Sequence, residues 1–127
     1  MVIEGNLRKM VTAIKQGEVQ YNLRLINESE TQLLPLNDHL GHSVEIAFLG
    51  KIHCVVCGRK TNKSFSQGFC YPCFRDAPEN SECIIHPERC QGHLGGGRDP
   101  EWEAMHHVRP HIVYLSQTSG VKVGVTR

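Results

Sequence analysis

The stretch CVVCGRKTNKSFSQGFCYPC, from Cys54 to Cys73, constrains this chain more than any other. A CxxC turn lets two thiolates converge on one tetrahedral ion at about 2.3 Å, because the loop backbone donates to the sulfurs and a following glycine takes the positive φ the turn needs. Gly58 stands in that place. Two such turns predict a closed four-sulfur zinc site of Cys54, Cys57, Cys70 and Cys73; the plainer alternative is four buried or disulfide-bonded cysteines. The spacer KTNKSFSQGF suits a β-hairpin, and YPCFRDA suits a short helix with Cys73 in its first turn, where the helix dipole favours thiolate. Together these parts predict a treble-clef-like finger, with a zinc ribbon as the near alternative.

A second cluster follows in CIIHPERCQGH. Cys83 and His86 form one pair, Cys90 and His93 the other, and four borderline-soft ligands so close together predict a second tetrahedral zinc site. His106, His107 or His111 is an alternative to His86. Such a staple would order residues 76–110, whose Pro, Glu, Gly and His content predicts irregular chain, with Gly95-Gly96-Gly97 as a loop. Trp102 is expected to pack over the second metal loop. His86 and Glu88 spell HxE, but the PCxxC that a zinc deaminase needs does not follow. Neither cluster has the three-ligand, one-open-position pattern of a hydrolytic metal, so both are expected to be structural.

Charge and composition narrow the setting. Net charge is +1, with 14 basic and 13 acidic residues, so no whole-chain field argues for nucleic acid or a membrane surface. Locally, Lys51 to Arg75 holds five basic residues and no acidic one, whereas Asp76 to Glu103 holds seven acidic residues against Arg89 and Arg98. Lys51, Arg59, Lys60, Lys63 and Arg75 alternate with Phe65, Phe69, Tyr71 and Phe74, the mixture of phosphate-pairing charge and stacking surface that single-stranded nucleic acid binders use. The opposing expectation is that the aromatics build the finger's own small core. MVIEGNLRKMVTAIKQ has no uninterrupted apolar run, no segment approaches a membrane span of about 20 residues, and four cysteines fall into CxxC pairs, so a cytoplasmic location and no membrane partner are expected.

Elsewhere the pattern is mostly β. VQYNLRLI (residues 19–26) and SVEIAFLGKI (from Ser43) predict half-buried strands, with a turn at Asn37, Asp38 and Gly41 between them; His39 and His42 belong to the same turn. Residues 6–16 suit a strand or a short helix. From His111, IVYL and VKVGV flank a turn at Gln117 to Gly120 and predict a hairpin.

With these residues in view, the chain resembles an uncharacterised bacterial family, domain of unknown function 2797. The resemblance runs nearly end to end, through GNLRKM, LPLNDHLG, CVVCGRKTNKSFSQGFCYPCF, CIIHPERC, GRDPEW and HIVYLSQTSGVKVGVTR. It implies cysteines in relatives where this chain has Gly97 and His107. Glycine binds no metal, so His86 or His107 would complete the second site beside Cys83, Cys90 and His93. The resemblance also implies further chain beyond Arg127. HIVYLSQTSGVKVGVTR is similar to the paired strands that open GIY-YIG nuclease-like domains, with Tyr114 in the place of the first tyrosine and Lys122 where the second is usual. In that fold one helix brings an arginine and a later one a metal-binding glutamate, and neither follows here.

The expected fold is therefore small α+β, mostly β. It has a β-rich region over 1–53, a zinc-binding region over 54–110, and the start of a truncated GIY-YIG-like domain over 111–127. The expected function is a zinc-binding protein, non-catalytic as it stands, contacting DNA or RNA through the finger. A truncated nuclease and a zinc-stapled protein-interaction adaptor are the alternatives.

Overall fold

The computed structural model describes residues 1–126. The chain divides into two compact units, Met1–Tyr71 and Pro72–Arg127. The fold is mixed, small and mostly strand, and among the described residues no helix is long and apolar enough to cross a membrane.

The first unit opens with an antiparallel meander of β1 (Asn6–Lys15), β2 (Glu18–Asn27) and β3 (Glu30–Pro35). The stretch that suited a strand or a helix is a strand because Gln16 and Gly17 both take positive φ, 52° and 82°, and so close a two-residue hairpin between Lys15 and Glu18. The register shifts between Arg8 and Val11, the mark of a bulge. β3 was not expected, since ETQLLP carries little alternation. The Asn37 turn is fixed as its chemistry predicts: Oδ1 accepts from the Tyr21 N–H at 2.8 Å and Nδ2 donates to the Val19 carbonyl at 3.0 Å.

The strand expected from Ser43 does not form. Residues 43–51 carry no regular structure, and Ile46 and Phe48 are 75% and 76% exposed. Alternation specifies a strand only where a neighbour supplies the hydrogen-bonding edge, and among the described residues none pairs with this segment. Regular pairing resumes at β4 (Ile52–His53), which pairs with β5 (Lys60–Thr61). An isolated bridge joins Phe65 to Phe69. The spacer is thus not one hairpin: its first residues return to β4, and its last close a small loop of their own. His53 Nδ1 lies 2.9 Å from Asn6 Oδ1, tying β4 to β1.

Helix α1 (Tyr71–Asp76) follows. Four single 3-10 turns then span Pro78–Asn80, Glu82–Ile84, Pro87–Arg89 and Gly92–Leu94. Helix α2 (Pro100–His106) begins where Asp99 Oδ1 accepts from the Trp102 N–H at 3.1 Å, with Pro100 in the first turn. The chain ends in the expected hairpin, β6 (Val113–Gln117) with β7 (Val121–Val125). His111 ties its base to α2: Nδ1 is 2.5 Å from the Thr126 carbonyl oxygen and Nε2 is 3.0 Å from that of His107.

Burial explains what holds this chain together. Among the described residues the buried side chains are Cys54, Phe69, Cys70, Ala77, Ser81, Cys83 and Glu103, and the N-terminal meander contributes none. An apolar core this small falls short of what a domain of this length needs. The interior consists largely of the chemistry-bearing residues themselves.

Candidate metal centres

Cys54 leaves β4 and enters a tight turn in which the Gly58 N–H donates to the Cys54 carbonyl at 3.0 Å. Gly58 has φ +74°, the left-handed value expected of it. A second close approach is needed at Gly68: with φ +113°, a Cβ there would stand 2.5 Å from Val55 Cγ1. The Val55 N–H donates to the Gly68 carbonyl at 2.9 Å, so the turn of the first CxxC pair rests on the chain leading to the second. Cys70 precedes α1, and Cys73 lies in the first turn of that helix.

The result is one cluster. The sulfurs of Cys54, Cys57, Cys70 and Cys73 all lie within 4.8 Å of one another and could hold a metal ion. Cys57 and Cys70 sulfurs are 3.7 Å apart, close to the edge of about 3.8 Å that metal–sulfur bonds of about 2.3 Å give a tetrahedron. No disulfide joins the cysteines, and that separation is far beyond the S–S bond of about 2.05 Å. The Val56 N–H and Arg59 Nε donate to the sulfurs of Cys54 and Cys57, at 3.5 and 3.1 Å. Burial pushes the Cys54 thiol up, but backbone donors at Cys70, Cys57 and Val56 outweigh it and bring the pKa down from 9.0 to about 6.

The second cluster comprises Cys83, Cys90, Glu103 and His107, whose ligand atoms also lie within 4.8 Å of one another. His107 Nδ1 is 3.6 Å from the Cys83 sulfur and 3.8 Å from that of Cys90. A tetrahedral ion with bonds of about 2.3 Å to sulfur and about 2.05 Å to nitrogen would set these near 3.6 Å. Cys83 and Cys90 arrive on successive 3-10 turns, Cys90 directly after the Pro87–Arg89 turn. Helix α2 supplies Glu103, and His107 sits at its C-terminal cap, four residues on and so on the same face. Trp102 stacks on His106 with ring centroids 4.1 Å apart and meets His107, a member of the cluster, edge-on at 5.1 Å.

Of the histidines expected in this second site, the structure brings in His107 and leaves His86 and His93 outside. His86 is exposed, with Nδ1 3.3 Å from Glu88 Oε1, and His93 is exposed in the turn Gly92–Leu94. The physical reason is length: Pro87 starts a 3-10 turn directly after His86, so the chain between the two cysteines coils tightly instead of reaching inward. Glu103 was missed. The available signal was DPEWEAMHH, in which Asp99 and Pro100 announce a helix and Glu103 and His107 stand at i and i+4 within it.

The basic residues of the finger meet different fates. Arg59 faces the Cys57 sulfur. Arg75 donates through Nε and Nη2 to Asp76 at 2.7 and 2.5 Å, and these bonds hold the Asp76 carboxyl below the usual carboxylate range. Lys63 Nζ stands 5.2 Å from the centre of the Phe65 ring, while Lys51 and Lys60 are exposed.

No curated protein and no solved structure matches the chain. A family model described as a protein of unknown function, DUF2797, matches residues 41–127, which takes in both cysteine clusters and leaves β1 to β3 outside. Two metal-ready clusters and their spacing thus fall within the matched span, and the chain belongs to the DUF2797 family.

Proposed function

We propose that this chain is a zinc-stapled binding module, without catalysis of its own, that contacts single-stranded nucleic acid through its basic finger. The observation that carries the reading is the closed set of four thiols, because four protein donors leave no position for water or substrate and so favour a structural ion. Cysteine-rich tetrahedral surroundings favour zinc over magnesium or calcium. The turn after β4, the short β4–β5 pairing and a last thiol on α1 support the treble-clef form over a ribbon, in which the fourth sulfur would sit on a second hairpin turn.

For nucleic acid the support is narrower. Arg59 and Arg75 are engaged with Cys57 and Asp76, so phosphate contacts fall to Lys51, Lys60 and Lys63, with Tyr71, 55% exposed, as the stacking surface. Three such contacts on a single strand correspond to a slope of about −2 in log affinity against log salt. The test is metal analysis of the purified protein, followed by anisotropy titration of single-stranded DNA and RNA at several salt concentrations. Stoichiometric zinc with that slope supports the reading. Zinc without salt-dependent affinity would turn the module into a protein adaptor, and protein purified without zinc that takes up none would end the proposal.

A further inference from the structure

Glu103 is 1% exposed, the largest fully buried side chain of the described residues. Its ion-pairing neighbour is His107, whose imidazole balances a carboxylate only when it is protonated. Ser81 Oγ donates to Oε1 at 3.3 Å, while Oε2 makes no hydrogen bond and faces His107 Nδ1. The cluster also holds two cysteine sulfurs, which add negative charge once ionised, and Arg89, which lines the same cavity, pairs with Glu82. Arg98, the nearest arginine in sequence, donates instead to the carbonyls of Phe74 and Ala77, at 3.2 and 3.0 Å. A buried carboxylate of this kind needs a cation or a proton.

The backbone also makes room for it. Gly97 has φ +106°, and a Cβ there would lie 2.6 Å from Glu103 Cγ and 2.9 Å from both Cδ and Oε1. A Cβ on Gly92 would meet Cys90 Sγ at 3.5 Å and Glu103 Cβ at 3.4 Å. Two glycines therefore line the carboxylate and one sulfur.

We infer that Cys83, Cys90, Glu103 and His107 form a mixed-donor site for a divalent transition metal, with the Glu103 carboxylate as a ligand and the ion as its counter-charge. Two thiolates, one neutral imidazole and one carboxylate carry three negative charges, so a divalent ion leaves a single net charge. Sulfur, nitrogen and oxygen donors together suit zinc, and cobalt as its spectroscopic stand-in. The carboxylate is a harder and weaker partner for such ions than a thiolate, so this site exchanges its ion faster than the four-sulfur site. The inference rests on the zinc-module reading but adds a ligand, an exchange order and a second stoichiometric ion.

The experiment uses the full chain, loaded with cobalt and counted by native mass spectrometry, with a chelator titration followed through the thiolate-to-cobalt absorption. Wild type should hold two ions and release them in two steps. Glu103→Gln, which keeps the shape and removes the charge, should hold the second ion at least tenfold more weakly while the four-thiolate absorption persists. A His86→Ala/His93→Ala double variant should hold both ions as wild type does, and if Glu103→Gln fails to fold, Glu103→Asp, which keeps the carboxylate but draws it back, should weaken the second ion alone. Two ions held at wild-type affinity by Glu103→Gln, or loss of the second ion from the histidine double variant, would overturn the inference and leave the zinc module standing. Wild type with one ion at the four-sulfur site would do the same, whereas wild type with none would remove both.

Discussion

Nε of Arg59 donates to the Cys57 sulfur across 3.1 Å. A cation set against a thiolate does two things at once: it steadies the negative charge that a four-sulfur zinc site accumulates, and it takes an arginine away from the surface that would meet phosphate. On the function proposed above, Arg59 and the lysines of the finger would therefore have separable roles.

That separation is measurable. Arg59→Ala should speed chelator extraction of the first ion about threefold, since an exposed charged hydrogen bond is worth about 0.5–1 kcal/mol once solvent screening is allowed for. Its effect on nucleic-acid affinity should be small. Lys60→Ala and Lys63→Ala should leave extraction unchanged and each reduce the salt slope by about 0.7. Equal effects of all three variants in both assays would refute the division.

Metal removal should unmake the interior. The buried residues Cys54, Phe69, Cys70, Cys83 and Glu103 are cluster members or, in Phe69, the neighbour of one. Ion binding is then folding free energy for these segments. Hydrogen exchange after chelation should show loss of protection over residues 52–76 and 81–107, with β1 and β2 amides changing little. Unchanged protection in the cysteine segments would show that they hold their shape without an ion.

How much of this was legible in the chain follows from the range of each signal. The first cluster was readable because CxxC turns are local: Gly58, Cys54 and Cys57 specify their geometry within five residues, and the helix carrying Cys73 starts where the spacing predicts. The hairpin from Val113 to Val125 was readable for the same reason. The second cluster was half readable. Cys83 and Cys90 were visible as members of one cluster and His107 as an alternative ligand, but Glu103 and His107 come from a helix and its cap more than ten residues later, and the adjacent His86 and His93 were the more conspicuous candidates. The segment from Ser43 failed in the opposite way. Its alternation of Val44, Ile46 and Phe48 is strand-like, yet a strand is defined by a partner that local pattern does not reveal.

Gly68 offers a stability test independent of any ligand. Its φ of +113° and the 2.5 Å approach of a Cβ to Val55 Cγ1 leave no place for a side chain. Gly68→Ala should cost about 1–3 kcal/mol, seen as a lower melting temperature of the metal-loaded protein and weaker retention of the first ion. Gly58→Ala, at φ +74° with open space around its Cβ, should cost less because it meets only the backbone penalty. The reverse order would show that the Val55 contact yields easily.

Acid should release the first ion only at low pH. The folded-state pKa of Cys54 lies at about 6, below its ordinary 9.0. The thiolate is therefore favoured by folding: its stabilisation is full above the unfolded value and is lost as pH falls through about 6. A bound ion competes further with protons, so the release midpoint should lie below pH 6. A titration showing half-release above pH 7 would contradict the role given to the backbone donors around this sulfur.

The terminal hairpin carries its own hazard. Leu115 and Val123 are cross-strand partners, 74% and 71% exposed, and Val113 and Val121 are also largely open to solvent. Among the described residues the ribbon has two strands, a form marginal in water by itself, and its edges and apolar face invite pairing with another chain. Light scattering of the full chain should show association that rises with concentration. Leu115→Lys combined with Val123→Glu should suppress it, since the opposite charges stay paired across the ribbon while apolar area is lost. Zinc content should be unaffected, because the hairpin contributes no member to either cluster. Association undiminished in the double variant would move its source to another surface, with the exposed Ile46 and Phe48 next to be tested.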